Sequence, residues 1–278
     1  MKFLSVINQN SGSVPENADR LLKDAVEKHG HQLDVHHIDG SQLETVCEQI
    51  RNMSADGLIA WGGDGTLTCM LNCASEMGIP VLPLPGGTMN MLCERVHGEK
   101  QDWEKTLDMA LSNDRQIALP AACVGQDKFY VGLLLGHLTQ LARSREHIRS
   151  GEVIPAVKTV LTDDALDLKT ALALKTDQED WRATAAGIFV PQEDGKVLHI
   201  VTIDPDSLLE LFDTSLGALT GKWDEAPGVS QHDAPKIHVK SEEPELSATL
   251  DGEHTMLASE IEVSLLPEAV QVWSGAQA

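Results

Sequence analysis

Leu58-Ile59-Ala60-Trp61 is an uninterrupted apolar run that leads straight into Gly62-Gly63-Asp64-Gly65-Thr66. A strand without polar alternation has to be covered on both faces, and helices flanking a parallel sheet are what cover it. The surrounding sequence has that arrangement. Residues 3–8, 32–37 and 81–84 read as further strands. Between the strands, apolar residues recur at helical spacing: Ala18, Leu21, Leu22 and Ala25; Leu43, Val46, Cys47 and Ile50; Leu67, Met70, Leu71, Ala74 and Met77. Ser13-Val14-Pro15-Glu16 and Ser41-Gln42-Leu43-Glu44 have the capping-box pattern that opens a helix, and Gly30 and Gly78 stand where helices should stop. Residues 1–120 are therefore expected to form an α/β domain with a doubly wound, mainly parallel sheet. Its ligand site should lie beyond the carboxyl ends of the strands.

The pattern changes near Pro120. Residues 122–124, 129–135, 166–174, 182–190, 197–204, 236–240 and 260–266 read as strands, and Leu166-Asp167-Leu168-Lys169 and Ile261-Glu262-Val263-Ser264 alternate with period two. One helix is expected over residues 207–221, opened by Ser207-Leu208-Leu209-Glu210. Residues 121–278 should thus form a C-terminal all-β, sandwich-like domain, with the last strand free to return to the first domain.

Charge narrows the partners. A formal net charge of -22 excludes generic nucleic-acid binding, which needs clustered Lys and Arg, and disfavours tight adhesion to an anionic bilayer. The one basic cluster, Arg143, Arg145 and Arg149 with Lys158 beyond, reads as a solvated helix face. No apolar run is long enough to span a bilayer, and the N-terminal one is too short for a secretory signal, so a cytoplasmic protein is expected. The five cysteines, an odd number without a CxxC pair, read as reduced thiols rather than a disulfide framework. Cys69 and Cys73 share a helix face, but nothing nearby completes a zinc spacing.

The chemistry is concentrated in the turns. Glycines between a buried strand and a helix start let backbone N–H groups approach phosphate oxygens. An aspartate inside such a loop would repel the phosphate unless a magnesium ion lies between them, or unless it orients an attacking hydroxyl. Pro85-Gly86-Gly87-Thr88-Met89-Asn90 follows the next strand, and Asn8-Gln9-Asn10-Ser11-Gly12 follows the first. All three turns fall at one sheet edge, as a nucleotide site requires.

Gly62-Gly63-Asp64-Gly65-Thr66 with Gly87-Thr88-Met89-Asn90, preceded by residues 8–12 and followed by Asp251-Gly252-Glu253, resembles the diacylglycerol kinase catalytic domain family. The resemblance implies an ATP- and Mg2+-using phosphotransferase of two domains, with the nucleotide site in the cleft between them. It implies that Asp64, Gly62, Gly63, Gly65 and Thr66 contact the triphosphate and its magnesium. Asn8, Ser11, Gly12, Gly87, Thr88 and Asn90 would line the nucleotide site. Asp64 and Asp251 are the implied catalytic carboxylates, with Asp251 the leading general base. Asp64 and Glu253 would hold the metal. The acceptor implied is diacylglycerol or a related lipid, reached by transient contact with the inner membrane face. A homodimer stays open.

The chain departs from the family pattern at Gln9, Cys69, Met91 and Glu94. Two other readings therefore stand beside the lipid kinase: a kinase of a soluble hydroxyl compound, NAD kinase-like, and a catalytically weakened nucleotide- or lipid-binding protein.

Overall fold

A computed structural model describes residues 1–38, 43–98, 101–136, 172–192, 195–203 and 229–276. The helix expected over 207–221, the Arg143–Lys158 cluster and most of the strand expected over 166–174 lie outside the described residues. The chain divides into two compact units. Unit 1 is Met1–Ala121 with Gln192–Asp194 and Leu266–Ala278; unit 2 is Ala122–Pro191 with Gly195–Leu265.

In unit 1 the elements run β1 (Lys2–Asn8), α1 (Ala18–Lys28), β2 (Gln32–Ile38), α2 (Leu43–Ile50), β3 (Gly57–Gly62), α3 (Asp64–Met77), β4 (Val81–Pro85), α4 (Met91–His97) and α5 (Trp103–Asn113). The four strands pair in parallel in the order β2-β1-β3-β4. The order reverses between β1 and β3, where a doubly wound sheet leaves a crevice for ligand. Every residue of β3 is buried, as its unbroken apolar run requires. Phe3, Ile7, Ile59, Trp61, Leu82 and Leu84 pack with Ala18, Leu22 and Val26 of α1 and Leu107, Ala110 and Leu111 of α5. Leu67, Met70, Leu71 and Ala74 of α3 are fully buried, and α2 packs on α3. Each such large side chain contributes roughly 1.5–3 kcal/mol relative to exposure.

Two helix starts show how tertiary contacts override local signals. α1 does not begin at the Ser13 capping box: its N-cap is Asn17, without a side-chain bond. Ser13 is engaged elsewhere, its N–H donating to Gly86 O at 3.0 Å and its hydroxyl to Gly87 O at 3.2 Å. α5, by contrast, is capped locally, Asp102 accepting from Lys105 N at 2.8 Å.

β5 (Gln116–Val124) leads into unit 2, which holds β6 (Asp127–Phe129), β7 (Gly132–Gly136), β8 (Leu172–Lys175), β9 (Asp180–Ala183), β10 (Ala185–Phe189), β11 (Leu198–Ile203), β12 (Val229–Ala234), β13 (Lys236–Leu250) and the first part of β14 (Glu253–Trp273). Its strand pairs are antiparallel, in line with the period-two patterning. β13 is the hinge of this unit: His238–Ser241 pair with β8, Ala248–Leu250 pair with β7, and the register against β14 shifts between Lys240 and Glu245. Both branches feed one core, including Leu133, Leu135, Leu172, Leu174, Ile188, Leu198, Ile200, Val239 and Val263. The fold class is thus as expected: a parallel α/β region, then a strand-rich one. Beyond Leu265 β14 continues into unit 1, where Val272 pairs in parallel with Val81. Among the described residues no helix is long and apolar enough to cross a membrane.

Candidate active site

The three turns at the carboxyl ends of β1, β3 and β4 are tied into one structure. Asn8, buried at the end of β1, donates through Nδ2 to Thr66 Oγ1 at 2.9 Å and accepts from Asn10 N at 3.1 Å, which curls the first turn back on itself. Ser11 Oγ accepts from Gly63 N at 3.1 Å. Gly86 N donates to Gly62 O at 2.9 Å, linking the second and third turns. Asn90 closes the third turn, with Oδ1 accepting from Gly87 N at 2.8 Å and Nδ2 donating to Gly87 O at 3.0 Å. Asn90 has φ 55, in the left-handed region that asparagine tolerates better than most residues.

Glycine is needed here for close approach rather than for turn geometry. A Cβ on Gly87 would lie 2.7 Å from Gly63 Cα, and one on Gly86 would lie 2.9 Å from Gly62 Cα. The two loop backbones are therefore in contact. Nothing lies within 4 Å of a Cβ built on Gly12, so its lack of a side chain answers no packing demand of the chain.

Asp64 is the first residue of α3 and is half-buried. Its Oδ1 accepts from Leu92 N at 2.9 Å, so the carboxylate caps α4, whose own N-cap Asn90 makes no capping bond. One oxygen is thus committed to the fold, and the carboxylate keeps its place at the end of the glycine loop. The first-turn amides of α3 have no intrahelical acceptors and carry the positive end of the helix dipole, a setting for anions. Thr88 is exposed and Thr66 buried. Burial, with Asp64 nearby, pushes the Cys93 thiol up, out of the range of a reactive thiolate.

Beneath these turns α4 is anchored by His97. Its Nε2 donates to Pro83 O at 2.9 Å and its Nδ1 accepts from Gly275 N at 2.9 Å, so the buried ring is neutral in a single tautomer. Burial pulls its pKa from 6.5 down to about 4.

In unit 2, Asp251 and Gly252 form the two-residue turn of the β13–β14 hairpin, with φ 48 and 93. Positive φ at both positions is the primed turn for which Asp-Gly is favoured. The Asp251 carboxylate is buried and accepts three backbone N–H bonds: Tyr130 at 2.8 Å on Oδ2, then Val131 at 2.8 Å and Gly132 at 3.0 Å on Oδ1. It fixes the β6–β7 corner in place. Burial, with Asp251 beside it, pushes the Tyr130 hydroxyl up. Glu253 opens β14 and is exposed.

The residues expected around the nucleotide in unit 1 thus fall in three adjoining turns. Asp251 and Glu253 belong to unit 2. Ser13 joins the turns without having been expected there; its capping-box spacing hid it, and only its bonds to the glycine loop disclose it. The Leu92 amide, the partner of Asp64, carries no sequence signal at all.

Residues 2–120 match the family model of the diacylglycerol kinase catalytic domain, so the resemblance carried by the motifs holds for that stretch. Three solved structures from Bacillus anthracis strain Sterne are similar to the chain in fold. One is a diacylglycerol kinase with a TM-score of 0.70 at 15% identity, covering 98% of this chain and 96% of its own. The others are candidate diacylglycerol kinases. One has a TM-score of 0.75 at 16% identity, with 98% and 96% covered; the second has 0.73 at 17%, with 98% and 97% covered. Identity this low carries fold alone. No curated protein matches the chain. The match sets residues 2–120 beside kinase catalytic domains and leaves the acceptor open.

Proposed function

We propose that this chain is a lipid kinase that transfers the γ-phosphoryl group of ATP to the hydroxyl of diacylglycerol or a related lipid. The observation that carries the reading is Asp64. A carboxylate held within a loop of close-packed glycines at a helix N-terminus is out of place for binding phosphate alone, and in place if a divalent cation lies between the two. Mg2+ fits this donor set, because it is usually held by one or two carboxylates together with phosphate oxygens and waters rather than by a cage of protein ligands. Asp64 would hold it, with Glu253 as the second carboxylate, and when bound it neutralises charge on the triphosphate.

The turn amides of residues 64–66 and of Thr88 would hold the phosphates, with Asn8, Ser11, Gly12, Gly62, Gly63, Gly87 and Asn90 shaping the nucleotide site. In the transfer the acceptor hydroxyl gives its proton to a carboxylate, its oxygen bonds to the γ-phosphorus, and ADP leaves with the bridging oxygen. Asp251 is proposed as that base; its three amide bonds hold it in one orientation. A lipid acceptor implies brief contact with a membrane surface, which the charge of -22 keeps weak on anionic lipid.

The test is transfer from γ-labelled ATP to extracted membrane lipids. Labelled lipid is expected with the parent chain and none with Asp64→Asn. If diacylglycerol, monoacylglycerol and sphingoid base all stay unlabelled while a water-soluble alcohol is phosphorylated, the lipid reading fails. Nucleotide binding without transfer to any acceptor overturns the kinase reading itself.

A further inference from the structure

Three of the five cysteines meet where α2 packs on α3. Cys47 Sγ of α2 lies 3.6 Å from Cys69 Sγ of α3. Cys73, one turn further along α3, donates to Cys47 O at 3.8 Å and lies 3.9 Å from Met77 Sδ. No group of three or more His, Cys, Asp and Glu among the described residues is suited to a metal, so the cluster is not a cation site. Packing of small apolar groups accounts for buried thiols, but it does not require two sulfurs from different helices to face each other. None of the three is in a disulfide.

We propose that Cys47 and Cys69 are a peroxide-sensitive pair whose disulfide ties α3 to α2 and thereby alters the phosphate loop. The roles of the two thiols differ. Cys69 is half-buried, while Cys47 is buried. Hydrogen bonding with Cys69 and Cys73, together with burial, pushes the Cys47 thiol up. In the first step the Cys69 thiolate attacks hydrogen peroxide, giving a sulfenic acid and hydroxide. In the second the Cys47 sulfur attacks that sulfenic sulfur, the S–S bond forms and water leaves. Two thiols and one peroxide thus give one disulfide and two waters, and a dithiol reductant reverses the reaction.

Closing 3.6 Å to the S–S bond length of about 2.05 Å moves the sulfurs roughly 1.5 Å together. Cys69 sits in the second turn of the helix that Asp64 opens, so a shift of α3 at Cys69 would be felt one turn from the glycine loop. Displacements of about 1 Å are enough to matter for positioning a phosphoryl group. The consequence for nucleotide rests on the phosphotransfer reading; the disulfide itself does not.

The experiment uses the full reduced chain, treated with hydrogen peroxide and mapped by mass spectrometry without reduction. The expected result is a peptide pair joining Cys47 to Cys69, with loss of two hydrogen masses, reversed by dithiothreitol. Cys73→Ser should keep the link, while Cys47→Ser should leave Cys69 as sulfenic or sulfinic acid. A link to Cys73 instead, or no link, overturns the proposal. MgATP titration of the reduced and oxidised chains, read by tryptophan fluorescence, should show binding weakened about tenfold on oxidation, with no change in Cys47→Ser. Equal binding by the two forms overturns the coupling. If the reduced chain binds no nucleotide, the phosphotransfer reading and the coupling fall together, and the peptide map still decides the disulfide.

Discussion

Asp64 and Asp251 are two aspartates in tight turns, and the two units use them differently. Asp64 is half-buried and gives one oxygen to one amide, that of Leu92. Asp251 is buried and takes three amides across both oxygens. Of roughly four lone-pair sites on a carboxylate, at least three are committed at Asp251 and at least one at Asp64. Asp64 can be altered with modest cost to the fold, so a loss of activity there reports chemistry. Asp251 cannot, and activity measurements on its variants have to be read together with stability.

The largest effect should come from Asp64→Asn. The amide oxygen still accepts from Leu92 N, so the midpoint of thermal unfolding should hold. Loss of the negative charge should lower transfer by at least about 10³-fold, the size seen when electrostatic stabilisation of a transition state is removed. A variant with near-parent rate would remove Asp64 from the chemistry.

Asp251→Asn should lower rate and stability together, the rate by about 10²–10⁴-fold for the loss of a general base. Asparagine offers one acceptor oxygen in place of two and turns an NH2 toward amides that are themselves donors. Leaving charge-assisted bonds unmade should cost about 3 kcal/mol of unfolding free energy, measured by denaturant titration. A lowered midpoint with a near-parent rate in the folded variant would leave Asp251 a structural residue and remove it as the base.

Unit 1 also carries a pH dependence through His97. Its folded pKa of about 4 lies below the unfolded value of 6.5, so the unfolded chain takes up the proton first as pH falls. Stability from this group is complete above pH 6.5 and is lost progressively between 6.5 and about 4, by up to ~3 kcal/mol. Denaturant midpoints across that window should fall. The slope should flatten in His97→Gln, which retains a donor toward Pro83 O.

Glycine substitutions give the smallest effects and the sharpest contrast within the loops. Gly87→Ala drives a Cβ to 2.7 Å from Gly63 Cα and should cost about 2 kcal/mol while splaying the two turns. Gly12→Ala meets nothing within 4 Å and should leave stability within about 0.5 kcal/mol. Weaker ATP binding in a Gly12→Ala chain of unchanged stability would locate bound nucleotide at the first turn.

The parallel character of unit 1 was written in local signals: the unbroken apolar run of β3, helical periodicity between the strands and a glycine turn after each strand. These act over a few residues, and covering both faces of β3 leaves few alternatives. The antiparallel character of unit 2 followed from period-two alternation, but not its detail. β12, an edge strand reading Val229–Ala234 with half its residues exposed, has no apolar alternation to mark it. β13 and β14 run well beyond the residues 236–240 and 260–266 that read as strands, because their remaining length is set by pairing rather than pattern. The residue types at the turns were also evident from sequence, including both aspartates. Their partners were not. Asp251 meets amides 119 to 121 positions away, Asn8 meets Thr66 at 58, and Cys47 meets Cys69 across 22. A hydrogen bond to a backbone amide leaves no trace in the partner's side chain, because every residue except proline has that donor. Composition and spacing therefore decided which elements form and which chemistry the turns can carry. Only the folded chain decided which carboxylate is held by the backbone and which thiols face each other.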